Sequence, residues 1–132
     1  MPEEKSMTLP QRIVIVDDER AVRQGLSNLL QSAGYAADCF ASGESLLEND
    51  AVLRSAAMLI VDVRLTGMSG FELVAALKKR GAPPPVLFIS ADAEESVLWQ
   101  AISLGAITFM HKPLDVDGLL ELIHRELAEN RR

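Results

Sequence analysis

The chain has 132 residues, of which 48% are hydrophobic and 24% are charged, with 13 basic and 19 acidic side chains and a formal net charge of −6. This length suits one domain, the composition excludes a disordered chain, and the acidic balance argues against direct nucleic-acid binding. With one cysteine, no signal peptide and no apolar run long enough to cross a bilayer, we expect a cytoplasmic protein with no membrane attachment.

Strands and helices are predicted to alternate along the chain. Residues 1–10 mix charges with two prolines, which predicts a flexible leader before a domain over residues 11–132. The predicted elements are, in order, a strand at 13–16, a helix ending before Gly34, a strand at 35–40, a short helix at 45–53, a strand at 58–61, a helix ending before Gly81, a strand at 86–89, a helix ending before Gly105, a strand at 107–110 and a helix opening at Asp115.

The strands are apolar and rich in β-branched residues, as expected for parallel strands buried on both faces, although the second run contains smaller residues. Parallel strands joined through helices need right-handed crossovers. The sequence therefore predicts an α/β fold, a doubly wound five-stranded parallel sheet with five helices on its two faces.

Polar side chains follow four of the predicted strands. Asp17 and Asp18 follow the first strand, Asp62 the third, Ser90 the fourth and Lys112 the fifth. Because ligands bind outside the carboxyl ends of parallel strands, these side chains are expected to converge. Three carboxylates in one place repel one another unless a cation lies among them, and Mg²⁺ prefers oxygen ligands. We therefore predict a Mg²⁺ site at Asp17, Asp18 and Asp62.

A carboxylate beside such a cation can attack phosphorus and form an acyl phosphate. Asp62 is the candidate nucleophile. Lys112 offers a second positive charge for the transferred phosphoryl oxygens, and the Ser90 hydroxyl can donate a hydrogen bond to one of them.

The combined pattern resembles the receiver domains of two-component response regulators over residues 11–130. The resemblance is carried by the sequence Val-Asp-Asp-Glu at 16–19, Asp62 with two glycines at 67 and 70, Ser90-Ala91, and Phe109 three residues before Lys112-Pro113. It implies the flavodoxin-like receiver fold. It also implies a signalling domain that carries out only its own phosphotransfer and autodephosphorylation, and is not an enzyme.

The resemblance further implies that a sensor histidine kinase or histidine phosphotransfer protein donates phosphate to Asp62. Asp18 and the backbone carbonyl of Arg64 would then be Mg²⁺ ligands, and Asp17 would act mainly through a metal-bound water. The Lys112-Pro113 peptide bond would be cis.

Phosphorylation is expected to draw Ser90 toward the phosphate and to turn Phe109 inward, as the resemblance implies. This movement would change the face made by the fourth predicted helix, the fifth strand and the fifth helix, where a partner or a second copy would bind. Both a stand-alone receiver and one module of a longer regulator fit this length.

Two departures from the family pattern affect the site. Thr66 stands where a proline usually precedes glycine, which predicts a looser loop after Asp62, and Ser90 replaces the commoner threonine but keeps the hydroxyl. Arg64 and Asp92 each lie two residues beyond a site residue and are expected to flank the mouth of the pocket with opposite charges. If they pair across the opening, they would modestly hinder a water that attacks the phosphate. The alternative is two independent solvated side chains.

Other functional classes fit less of the pattern. Phosphatases of the haloacid dehalogenase type carry an acidic proton donor two residues after the nucleophilic aspartate, where this chain has Arg64, which does not release a proton at ordinary pH. An FMN-binding protein of this fold would need a hydroxyl-rich phosphate loop after the first strand. A non-phosphorylated interaction module would not need the complete acidic set.

Trp99 is predicted to belong to a partner surface. Helical phase places Val97, Leu98, Ala101 and Ile102 on the inward stripe and Trp99 outside it. Exposed large aromatic residues are favoured in interfaces, and the resemblance places this helix on the signalling face, which makes a homodimer possible. The alternative is that Trp99 lies half-buried over a neighbouring helix or strand.

Overall fold

A computed structural model describes residues 9–91 and 95–130 of the chain. Residues 1–8 of the predicted leader lie outside the described residues, and the two described leader residues, Leu9 and Pro10, are exposed. The elements are β1 (Arg12–Val16), α1 (Arg20–Ser32), β2 (Ala36–Phe40), α2 (Gly43–Leu47), α3 (Asp50–Ser55), β3 (Ala56–Asp62), α4 (Gly70–Arg80), β4 (Val86–Ser90), α5 (Glu95–Ser103), β5 (Thr108–His111) and α6 (Val116–Asn130).

The five strands form one parallel sheet in the order β2-β1-β3-β4-β5. Successive residues of a strand point to opposite faces, so each central strand contributes to two cores. On one face α1 and α6 cover the sheet, and on the other face α2, α4 and α5 cover it. The doubly wound α/β prediction is confirmed.

The predicted helix at 45–53 is two helices among the described residues. The side chain of Ser42 accepts a hydrogen bond from the Ser45 N–H and caps α2, and Asn49 accepts one from the Val52 N–H and caps α3. Asn49 starts a new helix because its side chain satisfies a backbone donor at that N-terminus, which interrupts the first helix. The described chain therefore has six helices where five were predicted.

The inward stripe of α5 is narrower than predicted. Val97 and Ala101 are buried, 7% and 1% exposed, but Leu98 and Ile102 are 41% and 53% exposed. The prediction that Leu98 and Ile102 point into the core is wrong, because only one row of residues at i and i+4 spacing packs on the sheet. No described helix is both long enough and apolar enough to span a bilayer.

Candidate functional site

The carboxyl ends of four neighbouring strands meet at one edge of the sheet. In the pairing of β1 with β3, Val16 lies opposite Val61. The next residue after each valine is an aspartate, so Asp17 lies beside Asp62. In the same way Ser90 of β4 pairs with His111 of β5, and the backbone N–H of the next residue, Lys112, donates to the Ser90 carbonyl oxygen at 2.9 Å. The parallel sheet thus brings the predicted site residues to one edge.

Three carboxylates form a cluster at this edge. Asp17, Asp18 and Asp62 each offer an oxygen that lies within 4.8 Å of the others. Asp17 is fully buried and Asp62 is 5% exposed, whereas Asp18 is exposed. Backbone N–H groups two residues farther along hold the buried pair: Glu19 donates to Asp17 Oδ1 at 2.9 Å and Arg64 donates to Asp62 Oδ1 at 3.2 Å. These local turns fix both buried carboxylates.

Lys112 contacts the two buried carboxylates and the carboxylate of Glu19. Its Nζ atom is 2.9 Å from Asp17 Oδ2, 2.8 Å from Glu19 Oε1 and 3.1 Å from Asp62 Oδ2. Burial alone would lower the pKa of Lys112, but its contacts with these three carboxylates outweigh burial and raise the pKa above the ordinary value. Lys112 is therefore a fixed positive charge in the site. Glu19 was not predicted as a partner of Lys112, and the one sequence signal for it is its position next to the acidic pair.

Burial raises the pKa of the Asp62 carboxyl above its ordinary value of 3.8. The nearby charge of Asp17 also raises it, while the contact with Lys112 and the hydrogen bond from the Arg64 N–H lower it. The net direction means that the ionised carboxylate is less stabilised here than in water. A buried carboxyl with a raised pKa and a specific charged partner is typical of functional sites.

Asp17 Oδ2 indicates whether the cluster suits a cation. This oxygen is fully buried and has the Lys112 ammonium, 2.9 Å away, as its ionic partner, with no further donor among the described residues. A buried carboxylate oxygen in this position calls for a further donor or a cation. Clustered carboxylate oxygens are hard ligands. The residues present therefore fit a hard divalent cation.

The family model for the response regulator receiver domain matches residues 13–124. The chain belongs to this receiver family. Receiver domains of two-component response regulators are switches driven by phosphorylation, and this chain is such a signalling domain. The resemblance inferred from the sequence is confirmed.

Known receiver proteins are similar in both sequence and structure. The response regulator protein TodT of Pseudomonas putida is 37% identical over 115 residues, covering 87% of this chain and 50% of TodT. The transcriptional regulatory protein FixJ of Bradyrhizobium diazoefficiens is 31% identical over 123 residues, covering 93% of this chain and 60% of FixJ. The chain therefore spans about half the length of these curated relatives. The crystal structure of a response regulator receiver protein from Burkholderia phymatum is 30% identical, with a TM-score of 0.78, over 89% of this chain and 95% of that chain.

Two further predicted residues of the receiver lie on the neighbouring strands β4 and β5. Ser90 is 1% exposed at the end of β4. Phe109 in β5 is partly buried, packs against the core on the face covered by α2, α4 and α5, and meets the His111 ring edge-on with centroids 5.2 Å apart. The peptide bond between Lys112 and Pro113 is cis, as the resemblance implied. Asp92, the predicted neighbour of Arg64, lies outside the described residues.

The loop after Asp62 is held more closely than its sequence suggested. The Thr66 N–H and hydroxyl both donate to Asp18 Oδ2, and the Met68 N–H donates to Glu44 Oε2 at 3.0 Å. The expectation of a looser loop is not supported, because Thr66 makes two hydrogen bonds to Asp18. A proline at this position could make neither of them. Neither role was predicted from the sequence, since neither Thr66 nor Glu44 lies in a predicted helix or strand.

Two glycines allow this loop to pass close to the site. Gly67 has φ +82°, and a side chain there would meet the Glu44 carboxylate at 2.6 Å. At Gly70, the first residue of α4, an added Cβ would lie 2.3 Å from the carbonyl oxygen of Asp62. Only glycine allows α4 to begin this close to the backbone of Asp62.

Proposed function

We propose that Asp62 of this receiver accepts a phosphoryl group from a phosphohistidine of a sensor histidine kinase or a histidine phosphotransfer protein. A bond forms between an Asp62 carboxylate oxygen and phosphorus, the bond from phosphorus to the donor nitrogen breaks, and that nitrogen leaves with its electron pair. The observation that carries the proposal is the buried Asp62 carboxylate with Lys112 Nζ 3.1 Å away, beside two further carboxylates. A carboxylate beside a fixed positive charge supports the proposed role of Asp62 as the nucleophile.

The proposed cation is Mg²⁺, held by Asp18, Asp62 and the backbone carbonyl of Arg64, with Asp17 acting through a water. Bound there, it would supply positive charge for the phosphoryl oxygens. Lys112 contacts Asp17 and Asp62 and remains charged, so it supplies the second positive charge. The proposed role of Ser90 is to donate its hydroxyl to a phosphoryl oxygen.

The switch is proposed to pass from Ser90 to Phe109 and so to the face formed by α5, β5 and α6. Phe109 packs against the core next to β4, where Phe88 is its register partner. An inward turn of Phe109 would repack this region and change the exposed face of α5.

The proposed domain covers residues 11–132, preceded by a leader at 1–10. We propose that it acts by contacts with other proteins and does not itself bind nucleic acid, since its formal net charge is −6. A cytoplasmic location belongs to the same proposal. Turnover of external phosphate esters is not expected, since Arg64 stands where a proton donor would be needed.

Incubation with a small phosphodonor and Mg²⁺, followed by intact-mass measurement, tests the proposal. The expected result is one phosphoryl adduct per chain, which chelation of Mg²⁺ prevents. An unmodified chain would favour an interaction module without phosphorylation. Binding of FMN, detected by its absorbance, would favour the flavin-binding alternative.

Mg²⁺ is expected to raise the melting temperature of the unphosphorylated chain. A ligand that binds only the folded state stabilises it by about 2.7 kcal/mol at a free concentration about 100 times its Kd. Differential scanning calorimetry with increasing Mg²⁺ measures this rise. In Asp18→Asn the rise should be reduced, because one ligand charge is lost, while K⁺ at equal ionic strength serves as the control for salt effects. A rise that is the same in Asp18→Asn would contradict the proposed ligand set.

Trp99→Ala is expected to weaken partner binding or self-association of the phosphorylated receiver. Trp99 is 61% exposed and shares the outer surface of α5 with Leu98 and Ile102, so three large apolar side chains lie together. Sedimentation velocity with and without beryllofluoride measures self-association, and pull-down with a cognate partner measures docking. The matched control is Leu9→Ala, which removes an exposed apolar side chain away from this helix. Unchanged association and docking in both states would remove Trp99 from the interface.

A further inference from the structure

Thr66 makes a connection across the site that the usual family residue cannot make. Its backbone N–H and its hydroxyl donate to the same atom, Asp18 Oδ2, at 3.1 and 3.0 Å. These bonds join the loop after β3 to the loop after β1. Proline has neither an N–H nor a hydroxyl, so the usual residue at this position would leave Asp18 without both donors.

We propose that Thr66 is a positioning residue that orients Asp18 for the divalent cation. This inference rests on the proposed function. Asp18 is the exposed member of the acidic cluster, whereas Asp17 and Asp62 are buried and held by their own turns. An exposed side chain loses rotamer freedom when it binds a ligand, so hydrogen bonds that fix it beforehand lower that cost.

The two bonds also select which oxygen of Asp18 meets the cation. Two donors occupy the lone pairs of Oδ2, which leaves Oδ1 as the ligand atom. Hydrogen bonds to an ionised carboxylate are stronger than those between neutral groups, so the orientation is well defined. This pairing makes Asp18 a ligand through one oxygen only.

The other side of the loop is anchored independently of Asp18. Glu44, in the first turn of α2, accepts the Met68 N–H at 3.0 Å, and its carboxylate lies against Gly67. The loop that carries Thr66 is therefore also held at Met68, by a hydrogen bond that does not involve Asp18. Substitution of the Thr66 side chain should therefore remove its hydrogen bond to Asp18 without changing the backbone conformation of the loop.

Calorimetric titration of the unphosphorylated full chain with Mg²⁺ alone tests this role. Loss of a partner that orients a metal ligand commonly weakens metal binding by about 10- to 100-fold. We expect Thr66→Val, which keeps the shape and loses the hydroxyl, to weaken Mg²⁺ binding by about tenfold, at the lower end of that range. Thr66→Pro, which loses both donors, should weaken it at least as much. Thr66→Ser keeps the hydroxyl, and this variant should bind Mg²⁺ as the wild-type chain does.

A double-mutant comparison separates positioning from a general structural effect. In an Asp18→Ala background, Thr66→Val should cause no further loss of Mg²⁺ affinity, because its target is gone. Ser103→Ala removes an exposed hydroxyl in the last turn of α5 and should leave the affinity unchanged. Equal or tighter Mg²⁺ binding by Thr66→Val overturns the positioning role while the proposed function stands. A wild-type chain that does not bind Mg²⁺ overturns both.

Discussion

Asp62→Asn is expected to abolish labelling of the chain by a small phosphodonor in the presence of Mg²⁺. The amide has no carboxylate oxygen to attack phosphorus, so the acyl phosphate cannot form. The substitution keeps the shape of the side chain and removes one negative charge from a cluster in which burial already raises the pKa of Asp62. The metal-free variant should therefore fold and melt no lower than the wild-type chain. Intact mass and scanning calorimetry measure the two outcomes.

The matched control for this variant is Asp117→Asn, which changes an exposed carboxylate near the start of α6. It should be labelled to the same extent as the wild-type chain. A phosphoryl adduct that persists in Asp62→Asn would show that another residue is the acceptor, and peptide mapping would locate it. Loss of the fold in Asp62→Asn would contradict the view that this carboxylate is a cost to stability.

Lys112→Ala is expected to destabilise the metal-free protein by about 3 kcal/mol at neutral pH. Removal of Lys112 leaves Asp17, fully buried, and Asp62, 5% exposed, without their common positive partner. Breaking a buried ion pair commonly costs 3–5 kcal/mol, and the low end applies because the cluster opens to solvent at Asp18 and Glu19. Urea denaturation measured by circular dichroism gives the free energy of unfolding.

The decrease in the free energy of unfolding caused by Lys112→Ala should depend on pH. Lys112 lowers the pKa of Asp62, so in the alanine variant that pKa is raised further. An acid whose pKa is higher in the folded than in the unfolded chain destabilises the fold above its folded pKa and has no such effect below its unfolded pKa, near 3.8. The difference between variant and wild type should therefore be largest at neutral pH and narrow as the pH falls through the pKa of folded Asp62.

Lys79→Ala provides the comparison for this measurement, because Lys79 is an exposed residue of α4. Its effect should stay within about 0.5 kcal/mol. If Lys112→Ala is as stable as Lys79→Ala across the pH range, the buried carboxylates do not depend on the ammonium for their stability.

The sequence was sufficient to predict the sheet and the position of its chemical groups. Each central strand is a continuous apolar run, and each run is followed directly by the residue that the site uses. Because parallel strands share one carboxyl edge, the positions of Asp17, Asp62, Ser90 and Lys112 follow from the order of the strands alone.

The contacts made by the loops were not predictable in the same way. Thr66 reaches Asp18 across 48 positions of the chain, and Lys112 reaches Glu19 across 93. Such hydrogen bonds depend on the path of irregular backbone, which has no periodic signal. The division between α2 and α3 was missed because Asn49 reads equally as a helix residue or as a cap until the backbone before it is known.

The buried face of α5 was also predicted incorrectly, for a different reason. Its apolar residues occupy more of the helix surface than the sheet covers, so hydrophobicity alone assigned Leu98 and Ile102 to the core. Only the packing of the helix on the sheet decides which apolar rows are buried. Val97 and Ala101 form the row that is buried.

The four acidic side chains at this edge of the sheet also bear on the order in which ligands bind. Asp17, Asp18, Glu19 and Asp62 together carry more negative charge than one ammonium can neutralise. A phosphodonor is itself an anion and meets repulsion at this rim, whereas cations from the surrounding solution are concentrated there. Under the proposed function, we therefore expect the metal-free receiver to react slowly with a phosphodonor and the cation to bind before the productive encounter.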